Sequence, residues 1–82
     1  RRHAMLLRVF FLDLLSPAEA LAFIRRQGEL AAERHTELAK IADSVHDDPT
    51  ALHGRIALEW GLRSTAMAQE WATWAESQLK PQ

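Results

Sequence analysis

Residues 10–20 read Phe-Phe-Leu-Asp-Leu-Leu-Ser-Pro-Ala-Glu-Ala, and this stretch separates an apolar segment from a long helix. Ser16 is a favourable N-cap, Pro17 suits the first helical position, and Glu19 completes a capping box, so a helix is predicted to begin at Pro17. The preceding segment, Met5 to Leu15, contains only two charged residues. Its other nine residues cover every side of a helix, which predicts burial on all sides.

The size and composition of the chain indicate one small all-α domain. Eighty-two residues bury only roughly 60–65% of the extended surface on folding, so an internal core is marginal. Yet 48% of the chain is hydrophobic, with three Trp and three Phe, while three Gly and three Pro are too few for a turn-rich β fold. With a net charge of −1 and no cysteine, the chain shows no basic nucleic-acid footprint and no thiolate chemistry. We expect a soluble, cytoplasmic domain with no membrane partner, because no apolar run reaches the ~20 residues of a membrane span.

Three helices are predicted in order. The first covers about Arg2 to Leu15 and ends before Pro17, because a residue that precedes proline is pushed out of the helical region. The second runs from Pro17 to about Val45, and the third from Pro49 to about Leu79, with Asp48 as its cap. Since the connection between the long helices is short, we expect an antiparallel, coiled-coil-like hairpin.

The second helix carries a heptad seam. The spacing between its members alternates between four and three residues. The members are Ala20, Ile24, Gln27, Ala31, Arg34, Leu38, Ile41 and Val45. Gln27 and Arg34 are polar interruptions that can set the register. Gly28 costs about 1 kcal/mol relative to alanine in a helix, which indicates either a close neighbour or a bend.

The third helix is apolar on three sides. One stripe is large: Leu52, Ile56, Trp60, Met67, Trp71 and Trp74. A second stripe is small and would let another helix approach closely: Gly54, Ala57, Gly61, Ser64, Ala68, Ala72 and Ala75. Three helices in one chain cannot bury all three apolar sides of the third helix as well as the apolar first helix.

A symmetric dimer through the first and third helices is therefore the economical prediction. Aromatic side chains anchor interfaces out of proportion to their number, so the large stripe should lie at its centre. The predicted interface residues are Leu6, Phe10, Leu14, Trp60, Met67, Trp71 and Trp74.

Catalysis and metal binding are disfavoured by the motifs. No Walker loop, HExxH, CxxC or Ser/His/Asp arrangement occurs. A metal site could be imagined from His46, Asp47, Asp48 and His53, but Asp48 is better explained as a helix cap and the others as residues of an exposed turn. We expect no enzyme activity, no metal and no cofactor.

A second hypothesis concerns small-molecule binding. The indoles of Trp60 and Trp71, with the thioether of Met67, could contact a planar aromatic effector in a slot between two copies of the stripe. The chain would then be an effector-sensing domain rather than only a dimerisation domain.

Three pieces of the chain resemble the C-terminal helical, virulence-activator-type dimerisation domain of PadR-like transcriptional regulators. They are the apolar run with Ser16-Pro17-x-Glu19-Ala20-Leu21, the long charged second helix, and Leu58-Glu59-Trp60-Gly61 followed by Glu70-Trp71. The chain departs from that family at Ala18, where an acid is frequent, and at Ala72-Thr73-Trp74, which replaces a Leu-Glu-rich ending.

The resemblance implies a function for residues 1–82. In that family an N-terminal winged-helix domain binds DNA, and the C-terminal domain forms the homodimer that holds two winged helices in register on a palindromic operator. By resemblance, the first helix joins the two domains, a winged-helix domain is expected upstream of Arg1, and contact with DNA is made only through it.

Overall fold

The computed structural model describes residues 2–80, with side chains from Ala4 onward, and within this range the chain is helical and has no strand. Helix α1 spans Arg2–Phe10, α2 spans Pro17–Val45 and α3 spans Leu52–Leu79. The long helices α2 and α3 pack side by side, and the molecule measures 50 × 23 × 14 Å. The prediction of an all-α fold with one short helix and a long antiparallel hairpin is confirmed.

The start of α2 is a complete capping box, as the sequence predicts. The Ser16 hydroxyl oxygen accepts a hydrogen bond from the Glu19 backbone N–H at 3.1 Å, and the Glu19 carboxylate accepts one from the Ser16 backbone N–H at 3.0 Å. Pro17 occupies the first turn, where it removes no helical hydrogen bond. These contacts define where α2 begins.

The prediction that the first helix continues to Leu15 is wrong. Helix α1 ends at Phe10, and Leu12–Leu14 form a 3₁₀ turn in which the N–H of Leu15 donates to the carbonyl of Leu12 at 3.0 Å. The turn brings the Leu12 side chain into the core, where it is buried. Burial of this residue outweighs the local preference of an apolar run for continuous helix.

The third helix also begins later than predicted. Pro49–Ala51 form a 3₁₀ turn, and α3 begins at Leu52. Asp48 caps this turn: its carboxylate accepts hydrogen bonds from the Thr50 N–H at 2.9 Å and the Thr50 hydroxyl at 2.6 Å, and these bonds lower the pKa of Asp48. Arg55 closes the connection by donating to the His46 carbonyl at 2.9 Å.

The core lies at one end of the hairpin, where the first half of α2 meets the second half of α3. Its buried members are Leu12, Ala20, Ile24, Ala72 and Ala75, and Val9, Phe23, Trp71 and Leu79 pack around them. Ile24 has the largest fully buried side chain, at 1% exposure. Because so few side chains are buried, this core contributes little stabilisation for a chain of 82 residues.

Two glycines allow α2 and α3 to approach closely. A Cβ atom on Gly28 would lie 3.1 Å from the Ala72 Cβ, and one on Gly61 would lie 2.8 Å from a Leu38 methyl group. The small stripe of α3 therefore faces α2 through Gly61, Ala72 and Ala75, whereas Gly54 faces open space. Of the two explanations for Gly28, the close neighbour is confirmed.

Replacing Gly28 by leucine is expected to destabilise the hairpin. The new side chain meets the rigid Cβ of Ala72 and must push the two helices apart, so we expect the free energy of unfolding to fall by about 1–3 kcal/mol. Gly54→Leu is the matched control, since open space surrounds that position. Urea unfolding of both variants measures the difference, and an equal effect at the two glycines would contradict the close packing.

The seam of α2 follows the predicted one at six of its eight positions and departs from it at two. Arg34 and Ile41 are exposed, and the inward positions beside them are His35 and Ala42. His35 makes a polar contact between α2 and α3, and its Nδ1 lies 2.9 Å from the Thr65 hydroxyl oxygen. That hydroxyl donates to the Gly61 carbonyl at 2.7 Å, so it is free to accept from His35 Nδ1–H. The prediction that Arg34 sets the register is wrong.

An ion pair also joins the long helices near the core. Arg25 Nε lies 2.7 Å from a Glu76 carboxylate oxygen, and this hydrogen bond lowers the pKa of Glu76. Hydrogen bonds from Ser16 likewise lower the pKa of Glu19 from its ordinary value of 4.5. Each carboxylate is therefore better stabilised in the folded chain than in the unfolded chain.

Acid is expected to destabilise the fold in a way that depends on Glu19. A pKa that is lower in the folded chain gives stability that is present above about pH 4.5 and is lost as the pH falls through the folded value. Glu19→Gln keeps an acceptor for the Ser16 N–H and removes the titration, so its stability should fall less between about pH 6 and pH 3. Urea unfolding midpoints measured across this pH range test the prediction. An identical dependence of the midpoint on pH in the natural protein and in Glu19→Gln would contradict it.

Candidate interaction surface

The chain exposes more surface than a compact monomer of its size. Its accessible surface is 6517 Å², whereas a globular monomer of 9.3 kDa exposes about 5,000 Å². Thirteen large apolar side chains of the described residues are exposed, and most of them lie on α1, on the segment after it, and on one side of α3. Such a concentration of apolar surface marks an interaction site.

The first part of this surface lies along α3. We call it the Trp stripe, and it consists of Leu52, Ile56, Trp60, Met67 and Trp74. These side chains are between 51% and 65% exposed, and they extend along the side of α3 away from the close contact with α2. The interface assignment of Trp60, Met67 and Trp74 stays a prediction, and all three are accessible for it.

Trp71 differs from the rest of the predicted large stripe. It is half-buried and packs against the core that includes Ala72 and Ala75. Its position one turn after Met67 places it at the border between the core and the Trp stripe. Trp71 therefore stabilises the single chain, and its interface role stays a prediction.

The second part of the surface lies on α1 and on the 3₁₀ turn after it. Phe10 and Leu14 are 78% and 77% exposed, and Leu6 is about half exposed. The rings of Phe10 and Phe11 contact each other, with centroids 5.6 Å apart and planes tilted by 44°. Leu6, Phe10 and Leu14, the predicted interface residues of this segment, are thus all accessible in the single chain.

A groove of about 430 Å³ lies between α1 and α3. It is lined by Met5 and Leu6 from α1 and by Met67 and Trp71 from α3, with Ser64 and Thr65 as the hydroxyl-bearing residues. The structure thus brings together two of the three predicted ligand contacts, Met67 and Trp71. Trp60 does not line this groove, because it lies seven residues, about 10 Å, before Met67 on the same helix.

A second apolar groove, of about 450 Å³, was missed by sequence reasoning. Leu7, Phe11, Leu15 and Phe23 line it together with Arg8. The spacing of four residues from Leu7 to Phe11 to Leu15 was the signal that could have found it. The 3₁₀ turn nevertheless decides its shape, since a continuous helix would carry Leu15 to a different position.

The polar residues of the turn make local contacts with one another. No group of three or more His, Asp or Glu side chains comes together within the described part of the chain. His46 contacts Asp47 at 3.1 Å, and Asp48 is engaged with Thr50. Across residues 2–80, no helix is long and apolar enough to cross a membrane.

The fold is that of a small helical domain with an exposed apolar surface. The sequence matches the model of the family described as "Virulence activator alpha C-term" over residues 1–80, nearly the whole chain. The chain belongs to this family, which is a family of helical regulatory domains and not of enzymes. No curated protein and no solved structure matches the chain.

Proposed function

We propose that this chain is the homodimerisation domain of a PadR-like transcriptional regulator. It holds two DNA-binding winged-helix domains in register on a palindromic operator, in the cytoplasm. The observation that carries the proposal is the exposed apolar surface formed by α1 and the Trp stripe. The membership of the chain in a regulatory family and the three sequence pieces that resemble PadR-like regulators support it.

The area of exposed surface suits a dimer. The chain exposes about 1,500 Å² more than a compact monomer of its mass. A standard interface buries about 800 Å² on each partner, and stable homodimers bury more. A second copy offers a surface of the same character, and a two-fold axis closes the assembly without leaving either surface open.

Sedimentation equilibrium tests the dimer directly. We expect the 82-residue chain to sediment with twice its mass of 9.3 kDa at micromolar concentration. Its average mass should fall on dilution as the dimer dissociates. Circular dichroism at the same concentrations shows whether the helices persist. A compact helical monomer at the highest soluble concentration would contradict the proposal.

In this proposal DNA is bound by the winged-helix domain, so the 82-residue chain alone is expected not to shift DNA in a gel. Its net charge is −1, and specific DNA binding depends on a basic surface. A gel-shift titration at moderate salt is the measurement. A sequence-specific band produced by the 82 residues alone would contradict this division of labour.

The groove between α1 and α3 favours a second candidate function, effector sensing. The Met67 thioether and the Trp71 indole line the same apolar groove, and such a pair suits a flat aromatic molecule. A variant with Trp60→Phe and Trp74→Phe leaves Trp71 as its single indole. Titration of this variant with flat aromatic compounds should change its fluorescence, and a constant signal across the panel would contradict effector sensing.

A further inference from the structure

Helix α1 and the turn after it carry two neighbouring rows of apolar side chains. The first row belongs to the surface proposed for the dimer and consists of Leu6, Phe10 and Leu14. The second row follows it by one position along the chain and consists of Leu7, Phe11 and Leu15. These last three side chains are between 41% and 57% exposed, and none of them is a predicted interface residue. The second row is therefore accessible to a ligand of its own.

The second row lines the groove of about 450 Å³ that also involves α2. Phe23 contributes to the groove from α2, and Leu12 lines it as well. Leu12 is buried in the core and Phe23 packs against that core, so the fold itself fixes these two sides of the groove. Small-molecule sites have volumes of roughly 300–1,000 Å³, so a groove of this size suits one small ligand.

Arg8 is the one polar side chain among the described residues that line this groove, and the others are leucines and phenylalanines. Arg8 is exposed, and its guanidinium forms no ion pair within residues 4–80. Asp13, the acidic residue nearest to it in sequence, is not among the described lining residues. A guanidinium group presents parallel N–H donors that bind both oxygens of a carboxylate. The groove therefore combines one anion-binding group with hydrocarbon walls.

This combination selects the chemistry of the ligand. A polar group that is buried without a hydrogen-bond partner costs free energy, so the part of the ligand that enters the groove must be hydrocarbon. A single guanidinium matches the one negative charge of a carboxylate, whereas a phosphate monoester carries about −1.5 to −2. Four of the six apolar lining residues are leucines, which pack on a flexible aliphatic chain as well as on a ring.

We propose that this groove binds the anion of a free medium-chain fatty acid. The carboxylate pairs with the Arg8 guanidinium, and the aliphatic tail packs against Leu7, Phe11 and Leu15. The site is distinct from the groove of Met67 and Trp71, with which it shares no lining residue. It adds a ligand to the proposed function and does not depend on the dimer.

Isothermal titration calorimetry of the 82-residue chain with sodium decanoate, below the concentration at which micelles form, tests this site. We expect saturation at one decanoate per chain. Octanoate should bind more weakly and hexanoate more weakly still, because each buried methylene group strengthens binding by up to about fourfold.

An Arg8→Gln variant tests the contact with the carboxylate. Its affinity for decanoate should fall about fivefold, the upper range for an exposed charge pair. Decanol has the same tail without the charge, so its affinity should be equal in the natural chain and in Arg8→Gln. Arg34→Gln is the matched control, because Arg34 is also an exposed arginine but lies on α2, outside the groove.

A Leu7→Ser variant tests the contact with the tail. It should weaken decanoate and decanol by a similar factor, because the lost contact is apolar and common to both ligands. Leu7 is 57% exposed and does not belong to the core, so the fold should persist. Circular dichroism of each variant shows whether the helices remain.

Several outcomes would overturn the fatty-acid site. They are titration without saturation, equal decanoate affinity in Arg8→Gln and the natural chain, and an equal loss in Arg34→Gln. Flotation with phosphatidylglycerol vesicles in the absence of decanoate binding would assign the groove to a lipid surface instead. A fall in the sedimented mass when decanoate is added would assign it to a second copy. The proposed dimer is judged by the mass without decanoate, so it can stand or fail separately.

Discussion

Trp74→Ala is expected to weaken self-association by about 2–4 kcal/mol, the range for a central aromatic anchor. This corresponds to a rise of roughly 30- to 1,000-fold in the dissociation constant. Trp74 is well exposed in the single chain and does not belong to the core, so its removal should leave the packing of the hairpin unchanged. Sedimentation equilibrium measures the effect, with circular dichroism to show that the helices remain.

Ile41→Ala serves as the control for this experiment. Ile41 is also an exposed apolar residue, but it lies on α2, outside the Trp stripe, so its truncation should leave the dissociation constant unchanged. Trp71→Ala should reduce both association and fold stability, because Trp71 packs against the core. An unaltered dimer in Trp74→Ala, or an equal loss in Ile41→Ala, would show that the contact lies elsewhere.

Ile24→Ala is expected to lower the free energy of unfolding by about 2–5 kcal/mol. Ile24 is 1% exposed and fills the space between Ala20 on its own helix and the alanines of α3, so truncation leaves a cavity that small neighbours cannot close. Domains of this length have a total stability of about 4–12 kcal/mol. The variant should therefore be partly unfolded at moderate temperature.

The measurement is urea unfolding at one fixed protomer concentration, because association raises the apparent stability of a dimer. Ile41→Ala is again the matched control. The same atoms are removed from a half-exposed position, where surface substitutions usually change stability by only about 0.5 kcal/mol. Equal losses in the two variants would contradict the position of the core.

The helix boundaries show which local signals can be read without coordinates. The capping box of Ser16 and Glu19 lies within four residues of chain, and its hydrogen bonds form wherever that helix forms, so the start of α2 was predictable. The end of α1 was not, since the run from Phe11 to Leu15 has the composition of a helix. Its 3₁₀ turn depends on the position of Leu12 in a core built by other helices.

The exposed apolar surface was likewise predictable in part from the sequence and in part decided by the packing of the helices. The residues of the Trp stripe were identified by helical spacing alone, because α3 is long and regular. Spacing alone did not show which stripe of α3 packs on α2, because both the large and the small sides of α3 are apolar. The structure assigns the small side to α2, where Gly61 and Ala72 allow close approach, and so leaves the large side open.

By itself, the sequence of this protein determined its class, its three helices, the start of α2 and the apolar stripes, because these depend on interactions within a few turns of chain. The tertiary structure decided the seam of α2, where His35 replaces Arg34 opposite Thr65, and the short α1. It also decided that Trp71 lies at the core while Trp74 remains exposed. The reason is that helical periodicity identifies a stripe, but only the packing of a second helix determines which residues at its edge are covered.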